Sequence, residues 1–102
     1  MPTITASRLM RERKIYTCQV CHLRPAEEVH HCLYGRRKGV PELDVDYNFQ
    51  LTCQKCHRYS GLAKQWKNKL AFWEWACSYY GRDVMVKWHE SLPLKVKEIA
   101  YK

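Results

Sequence analysis

The amino-acid sequence predicts a small α+β domain with a structural metal site, in which two short strands lie between an N-terminal helix and C-terminal helices. Three observations lead to this prediction. The chain has 102 residues, so it is expected to form one domain with a modest core. Two Cys-x-x-Cys pairs stand at 18–21 and 53–56. A long run with helical periodicity follows the second pair.

The N-terminal residues predict one helix and one metal-binding turn. Thr5 or Ser7 can cap the start of the helix through a side-chain oxygen, and the helix would run to about Lys14. Leu9 and Met10 would face inward. The first Cys-x-x-Cys pair follows and would form a tight turn.

Two short strands are expected in the middle of the chain. A strand over residues 27–33 contains the doublet His30-His31 near its end. A loop over 34–47 then leads to a second strand over 48–52. Loops of this length in compact domains usually carry function or move.

The second half of the chain predicts helices. One begins near the second Cys pair, carries His57 and breaks at Gly61. The clearest helix covers 62–80, because apolar residues recur three and four positions apart. These residues form a stripe that is more typical of a core than of a base-stacking platform, and they are Leu62, Trp66, Leu70, Trp73, Cys77 and Tyr80.

Two more helices are expected at the C-terminal end. One covers 82–90, and its inward residues are Val84, Met85 and Trp88. Pro93 opens the other, which runs to about Ala100. Residues 1–102 are therefore expected to be a single domain, with a core over 15–64 and a helical extension over 62–102.

The four cysteines of the two pairs predict one structural zinc. They are Cys18, Cys21, Cys53 and Cys56. Two such turns can close a tetrahedron of thiolates around one ion, which leaves no position for a substrate. A redox pair is the alternative, as is a site in which His31 or His57 replaces a cysteine ligand, although four cysteines already complete the tetrahedron.

The charge balance favours a polyanionic partner. The formal net charge is +8, and four thiolates around Zn(II) would leave about +6. Nucleic acid is the default partner for a small basic zinc protein, and a solubilising surface charge is the alternative. The N-terminal residues lack the layout of a secretion signal and no uncharged run could span a membrane, so a reducing cytoplasm is expected, with no membrane association.

The doublet His30-His31, Asn48 and His57 add a second constellation to the cysteines. In this order the chain resembles the HNH endonucleases, the ββα-metal nucleases, in their four-cysteine branch. In that family a His-His pair ends the first strand, an Asn begins the second, and a His follows the last cysteine. The resemblance covers residues 18 to about 64, and it implies an HNH endonuclease with a small ββα-metal core, flanked by the N-terminal and C-terminal helices.

The resemblance also implies roles for these residues. His31 would be the general base, Asn48 would fix the loop and the base, and His30 and His57 would bind a catalytic divalent cation, either Mg, Mn, Ni or Zn. These roles suit phosphodiester hydrolysis, in which a neutral imidazole can take a proton from water and a metal can stabilise the charge on the phosphate.

Two points stay open within this interpretation. Neighbouring strand residues point to opposite faces, so His30 and His31 share a site only where the strand bends or ends. Physical reasoning alone does not decide which of them is ligand and which is base. Some family members carry another ligand one helical turn after the last His, but Gly61 stands there, so two His and water would hold the cation weakly.

Five basic residues are candidates for contact with DNA phosphates, and solvated charge is the alternative for each. They are Arg36, Arg37, Lys38, Arg58 and Lys64. The aromatic C-terminal part is also loosely similar to phage recombination endonucleases of the NinG type. The expected function is therefore a DNA endonuclease that nicks or cuts, acting as a monomer or homodimer. The alternatives are a branched-DNA (Holliday junction) resolvase, or a non-catalytic zinc module that binds nucleic acid or a phage terminase or recombination protein.

Overall fold

The computed structural model describes residues 2–36 and 38–93, and these form a small α+β fold. Helix α1 covers Ile4–Arg13, strands β1 and β2 cover Glu28–His31 and Phe49–Thr52, and helices α2 and α3 cover Trp66–Tyr80 and Arg82–Ser91. Short helical turns lie at Pro41–Leu43, Asp46–Asn48, Lys55–Tyr59 and Leu62–Lys64. The predicted N-terminal helix, two strands and C-terminal helices are confirmed, whereas the helix expected after Pro93 lies outside the described residues.

Helix α1 begins earlier than the sequence suggested. Thr3 is its N-cap, because Thr3 Oγ1 accepts a hydrogen bond from the backbone N–H of Ala6 at 3.1 Å. Neither Thr5 nor Ser7 starts the helix, since both lie within its first turn. Lys14 ends the helix with a left-handed backbone, at φ 57°.

Helix α1 packs on the sheet through the two residues predicted to face inward. Leu9 and Met10 are buried in an apolar cluster with Phe49 and Leu51 of β2. Since side chains alternate along a strand, Phe49 and Leu51 share the face that α1 covers. The opposite face of the sheet is therefore the one that turns toward α2.

The two strands pair antiparallel and set the position of the doublet. His30 lies opposite Gln50, and His31 lies opposite Phe49. His31 is the last residue of β1, so the doublet stands where the strand ends, as expected. The 17 residues between the strands include two single helical turns, at Pro41–Leu43 and Asp46–Asn48.

A second apolar cluster joins α2 to α3 and to the loop between the strands. Phe72 and Cys77 of α2 are buried with Met85 and Trp88 of α3. The inward positions predicted for Met85 and Trp88 are confirmed. Val84, which was also predicted to face inward, is 40% exposed, because α3 turns its Met85 side toward α2.

Residues 62–80 do not form one continuous helix. Gln65 has an extended backbone with ψ 146°, so the turn at its N-terminal side ends there and α2 begins at Trp66. His57 lies on its own five-residue helical turn. Gly61, at φ 75°, ends that stretch as predicted, because only glycine adopts this conformation readily.

The predicted apolar stripe of α2 is only partly buried: its last three residues, Trp73, Cys77 and Tyr80, lie in or against the apolar core. Trp66 is 66% exposed and Leu70 is 49% exposed, whereas Asn68 and Phe72 point inward. Asn68 exchanges two hydrogen bonds with Gln50 of β2, at 2.9 and 2.8 Å. This buried amide pair fixes the rotation of α2 against the sheet, and apolar periodicity could not have predicted it.

Candidate metal centre and histidine site

The four cysteines of the two pairs come together as predicted. The Sγ atoms of Cys18, Cys21, Cys53 and Cys56 all lie within 4.8 Å of one another, and no cysteine forms a disulfide. Around tetrahedral Zn(II), with Zn–S bonds of about 2.3 Å, sulfur atoms lie roughly 3.8 Å apart. The cluster is therefore consistent with one structural zinc.

The first Cys pair is folded as a tight turn in which the two thiols differ, because burial raises the pKa of Cys18 whereas that of Cys21 is lowered. The backbone N–H of His22 donates to the carbonyl of Cys18 at 2.9 Å, and His22 itself is exposed with φ 59°. Burial raises the pKa of the Cys21 thiol, but hydrogen bonds from the backbone of Leu23 and Arg24 outweigh it and lower that pKa to about 6. The thiolate is the form of cysteine that binds zinc, so a thiol that ionises readily suits this role.

Two of the predicted histidines lie together beside the sheet. The rings of His30 and His57 are 5.1 Å apart, centre to centre. His30 extends from β1, and His57 comes from the helical turn that directly follows the second Cys pair. The cysteine cluster thus sits at the base of the turn that brings the two rings together.

Glu28 is a member of this site that the sequence interpretation missed. His57 Nδ1–H donates to Glu28 Oε1 at 3.1 Å, and Arg58 Nε donates to the same oxygen at 3.0 Å. The Arg58 guanidinium, and then His57, hold the pKa of the Glu28 carboxyl below its usual range. Glu28 stands two positions before His30, so strand alternation could have placed it on the same face.

His30 is held as a neutral imidazole. Burial, reinforced by repulsion from His57, lowers the pKa of His30 to about 4. Its Nε2–H donates to the carbonyl oxygen of Ala63 at 3.1 Å, which leaves the lone pair on Nδ1. In the same way, the bond from His57 to Glu28 leaves the lone pair of His57 on Nε2. Each ring therefore keeps one nitrogen that could bind a metal.

His31 has different neighbours from His30. Its Nε2–H donates to Asp44 Oδ1 at 2.8 Å, and its ring meets the Phe49 ring edge-on at 5.1 Å. This orientation leaves Nδ1 as the acceptor. Asp44 is a second residue that the sequence interpretation missed, and no local pattern in the loop pointed to it.

Asn48 is fully buried and fastens the loop to the strands. Its Oδ1 accepts from the backbone N–H groups of Leu33 and Tyr34 at 2.9 and 3.0 Å. Its Nδ2 donates to the carbonyl oxygens of Tyr34 and Leu43 at 2.8 and 3.0 Å. The amide thereby makes four hydrogen bonds, and it fixes the chain directly after the doublet.

The five basic residues predicted to contact DNA occupy different settings. Arg36 and Lys38 are exposed on the loop between the strands, and Lys64 is exposed on the turn before α2. Arg58 instead donates to the buried carboxylate beside the histidine pair. Arg37 lies outside the described residues.

Within residues 2–36 and 38–93, the cysteine cluster is the only group of three or more His, Cys, Asp or Glu side chains close enough to share an ion. No helix in that part of the chain has the length and hydropathy to span a bilayer. Comparison with protein-family models, curated proteins and solved structures finds no match. The chain is thus shown to be a small α+β protein with a four-cysteine cluster.

Proposed function

We propose that the protein is a metal-dependent DNA endonuclease of the HNH type, with a ββα-metal core, that hydrolyses phosphodiester bonds. The observation that carries this proposal is the pair His30 and His57, whose rings lie 5.1 Å apart on a frame of two strands and a cysteine-stapled turn. A closed four-thiolate site has no need of this pair. Each ring of the His30–His57 pair keeps one nitrogen free of hydrogen bonds to the protein. These nitrogens favour a second site that acts on a substrate.

In this proposal His30 and His57 hold the divalent cation. Burial keeps His30 neutral at physiological pH, and Glu28 orients the His57 ring, as carboxylates commonly do behind metal-binding histidines. When bound, the cation would stabilise negative charge on the phosphate and on the leaving oxygen. Two imidazole ligands leave the remaining positions open to water and phosphate.

His31 is the proposed general base. Its Nε2–H is engaged by Asp44, so Nδ1 is the nitrogen that accepts the proton of the attacking water. His31 ends β1, so a phosphate lying across the strand end could meet the base from one side and the His30 ring from the other.

Asn48 and the basic loop complete the proposed site. Asn48 holds the backbone at Leu33 and Tyr34, which limits the movement of the preceding doublet. The exposed Arg36 and Lys38, with Arg37, would bind DNA phosphates on the loop side, and Lys64 on the helical side. Arg58 would act mainly through Glu28, because its guanidinium is already paired there.

A plasmid nicking assay tests the proposal. Zinc-loaded protein is incubated with supercoiled plasmid and magnesium or manganese, and wild type is compared with His31→Ala. We expect the nicking rate to fall about 10²- to 10⁴-fold in the variant, the usual contribution of a general base. His22→Asn is the matched control, because His22 is exposed on the first cysteine turn and should nick like wild type.

Equal nicking by wild type and His31→Ala would remove the catalytic proposal. Retention of DNA binding without any metal-dependent cleavage would point instead to a non-catalytic zinc module.

A further inference from the structure

An aromatic pocket of about 270 Å³ lies beside the proposed site, between α2, α3 and the residues that follow the doublet. Trp66 and Trp73 of α2 line it together with Tyr34 and His89. Tyr34 OH and His89 Nδ1 are 2.8 Å apart and their rings are stacked. The volume is slightly below the range of drug-sized ligand pockets, about 300–1,000 Å³, and suits a single flat ring system.

Two large apolar side chains of α2 are exposed to solvent along this pocket. Trp66 is 66% exposed and Leu70 is 49% exposed, although their spacing predicted a buried stripe. The Gln50–Asn68 pair turns the Asn68 side of α2 inward, which leaves Trp66 and Leu70 at the surface. A large aromatic side chain at a pocket mouth marks a binding surface more often than chance.

A cation lies among these aromatic residues. Lys69 lines the pocket one turn after Trp66, and it makes no salt bridge within the described part of the chain. Leu33 and Tyr34, at the start of the loop, line the same pocket, and the charge of Lys69 adds slightly to the lowering of the His30 pKa that burial and His57 cause. The pocket therefore adjoins the His30 side of the proposed catalytic site. The combination favours a ligand that is flat, aromatic and anionic.

We propose that this pocket binds an unpaired nucleobase of the DNA substrate, stacked on Trp66, with the neighbouring phosphate on Lys69. This inference rests on the proposed nuclease function and narrows its substrate to DNA with single-stranded or bulged nucleotides. A paired base cannot enter, because its faces are covered by the stack and its edge by its partner. An apolar protein segment fits less well, since Lys69 would be buried against it without a partner.

Fluorescence anisotropy with two labelled duplexes tests this binding mode. One duplex is fully paired, and the other carries one unpaired thymidine. All proteins carry His31→Ala and receive no divalent cation other than the structural zinc, so that no cleavage occurs. We expect Trp66→Ala to weaken binding of the bulged duplex about tenfold, as is usual for the loss of one base–aromatic stack, and to change binding of the paired duplex less than twofold.

Three further variants sharpen this test. Trp66→Phe keeps an aromatic surface and should restore most of the affinity for the bulged duplex. Lys69→Gln should weaken that affinity and reduce the dependence of log Kd on log salt by about one. Tyr16→Ala is the matched control, because Tyr16 is an exposed aromatic residue, at 59%, that lies outside this pocket.

The outcomes separate this inference from the nuclease proposal. Equal losses on the paired and bulged duplexes, or no loss on either, would overturn the nucleobase pocket even if wild type nicks plasmid. A selective loss on the bulged duplex would support the pocket even if no cleavage is found. Should Trp66→Ala fail to fold, Lys69→Gln decides the question by the same comparison of the bulged and the paired duplex.

Discussion

Burial makes the two histidines of the doublet chemically different. His30 is only 8% exposed and has a pKa of about 4, so it stays uncharged across the physiological range. His31 is more exposed and hydrogen-bonds the exposed carboxylate of Asp44. One backbone position thus separates an imidazole suited to binding a metal from one that can take up a proton.

Replacing His30 should change how the free energy of unfolding depends on pH, because burial lowers the pKa of His30 in the folded protein. The unfolded chain binds a proton at His30 near pH 6.5 and the folded chain only near pH 4, so acidification between these values favours unfolding. Relative to His30→Gln, wild type should therefore lose about 2 kcal/mol of unfolding free energy between pH 7 and pH 5. Urea unfolding of both proteins across this range measures the difference.

The comparison cancels the contribution of the cysteine ligands, which both proteins share. His22→Gln serves as the control, because that histidine is exposed and its replacement should leave the pH profile of wild type unchanged. A stability difference between wild type and His30→Gln that stays constant from pH 7 to pH 5 would contradict the prediction.

Helix α1 is joined to the rest of the molecule by two arginines. Arg8 donates to both carboxylate oxygens of Asp46, at 2.8 and 3.0 Å, and its guanidinium holds the pKa of Asp46 below its usual range. Arg13 is buried, with its guanidinium carbon 4.8 Å from the centre of the Trp75 ring. It also donates to the carbonyl of Asp46 and to Tyr80 OH, each at 3.0 Å. Since Asp46 begins the turn that ends in Asn48, α1 helps to position the loop.

Arg13→Ala should destabilise the fold by about 3 kcal/mol, because it removes buried charge-assisted hydrogen bonds and leaves their partners unpaired. Arg13→Lys should recover only part of this loss, since an ammonium cannot reproduce the planar fork over Trp75. Denaturant unfolding with zinc present measures both. The control is Arg11→Ala on the exposed side of α1, and a cost for Arg13→Ala no larger than for Arg11→Ala would refute this role.

The stability of the whole molecule depends on the cysteine cluster, which links two segments that are far apart in the chain. The cysteine cluster ties the turn before β1 to the turn after β2, while the apolar side chains form two separate clusters, one joining α1 to β2 and the other joining α2 to α3. A chain of this size buries little apolar surface, so such a staple contributes a large share of its stability.

Cys53→Ser should abolish tight zinc binding and cooperative folding, because metal binding and folding are coupled in small zinc-stapled domains. Wild type should carry one zinc per chain by elemental analysis. Cys77→Ala provides the control, since Cys77 is buried outside the cluster and its loss should cost only about 1 kcal/mol while zinc is retained. A metal-free chain with the same thermal unfolding as wild type would exclude the staple.

Local patterns along the chain were enough to predict the frame of the site. The Cys-x-x-Cys spacing predicted the cluster, and the N-terminal helix was predicted with Leu9 and Met10 facing inward. The strand expected over 27–33 is shorter in the structure, Glu28–His31, so the doublet stands at its end. The catalytic roles of Asn48 and of the histidines stay predictions, which the nicking assay addresses.

The sequence by itself determined the α+β class, the cysteine staple and the strand pair, because each follows from spacing within a few residues. Only the tertiary structure decided which side of α2 is buried, and it brought Glu28 to His57 and Asp44 to His31. These choices depend on polar pairs between segments far apart in the chain. A single buried amide pair outweighed the burial of Trp66 and Leu70 at the start of the apolar stripe, since leaving such groups unbonded costs more than exposing a tryptophan.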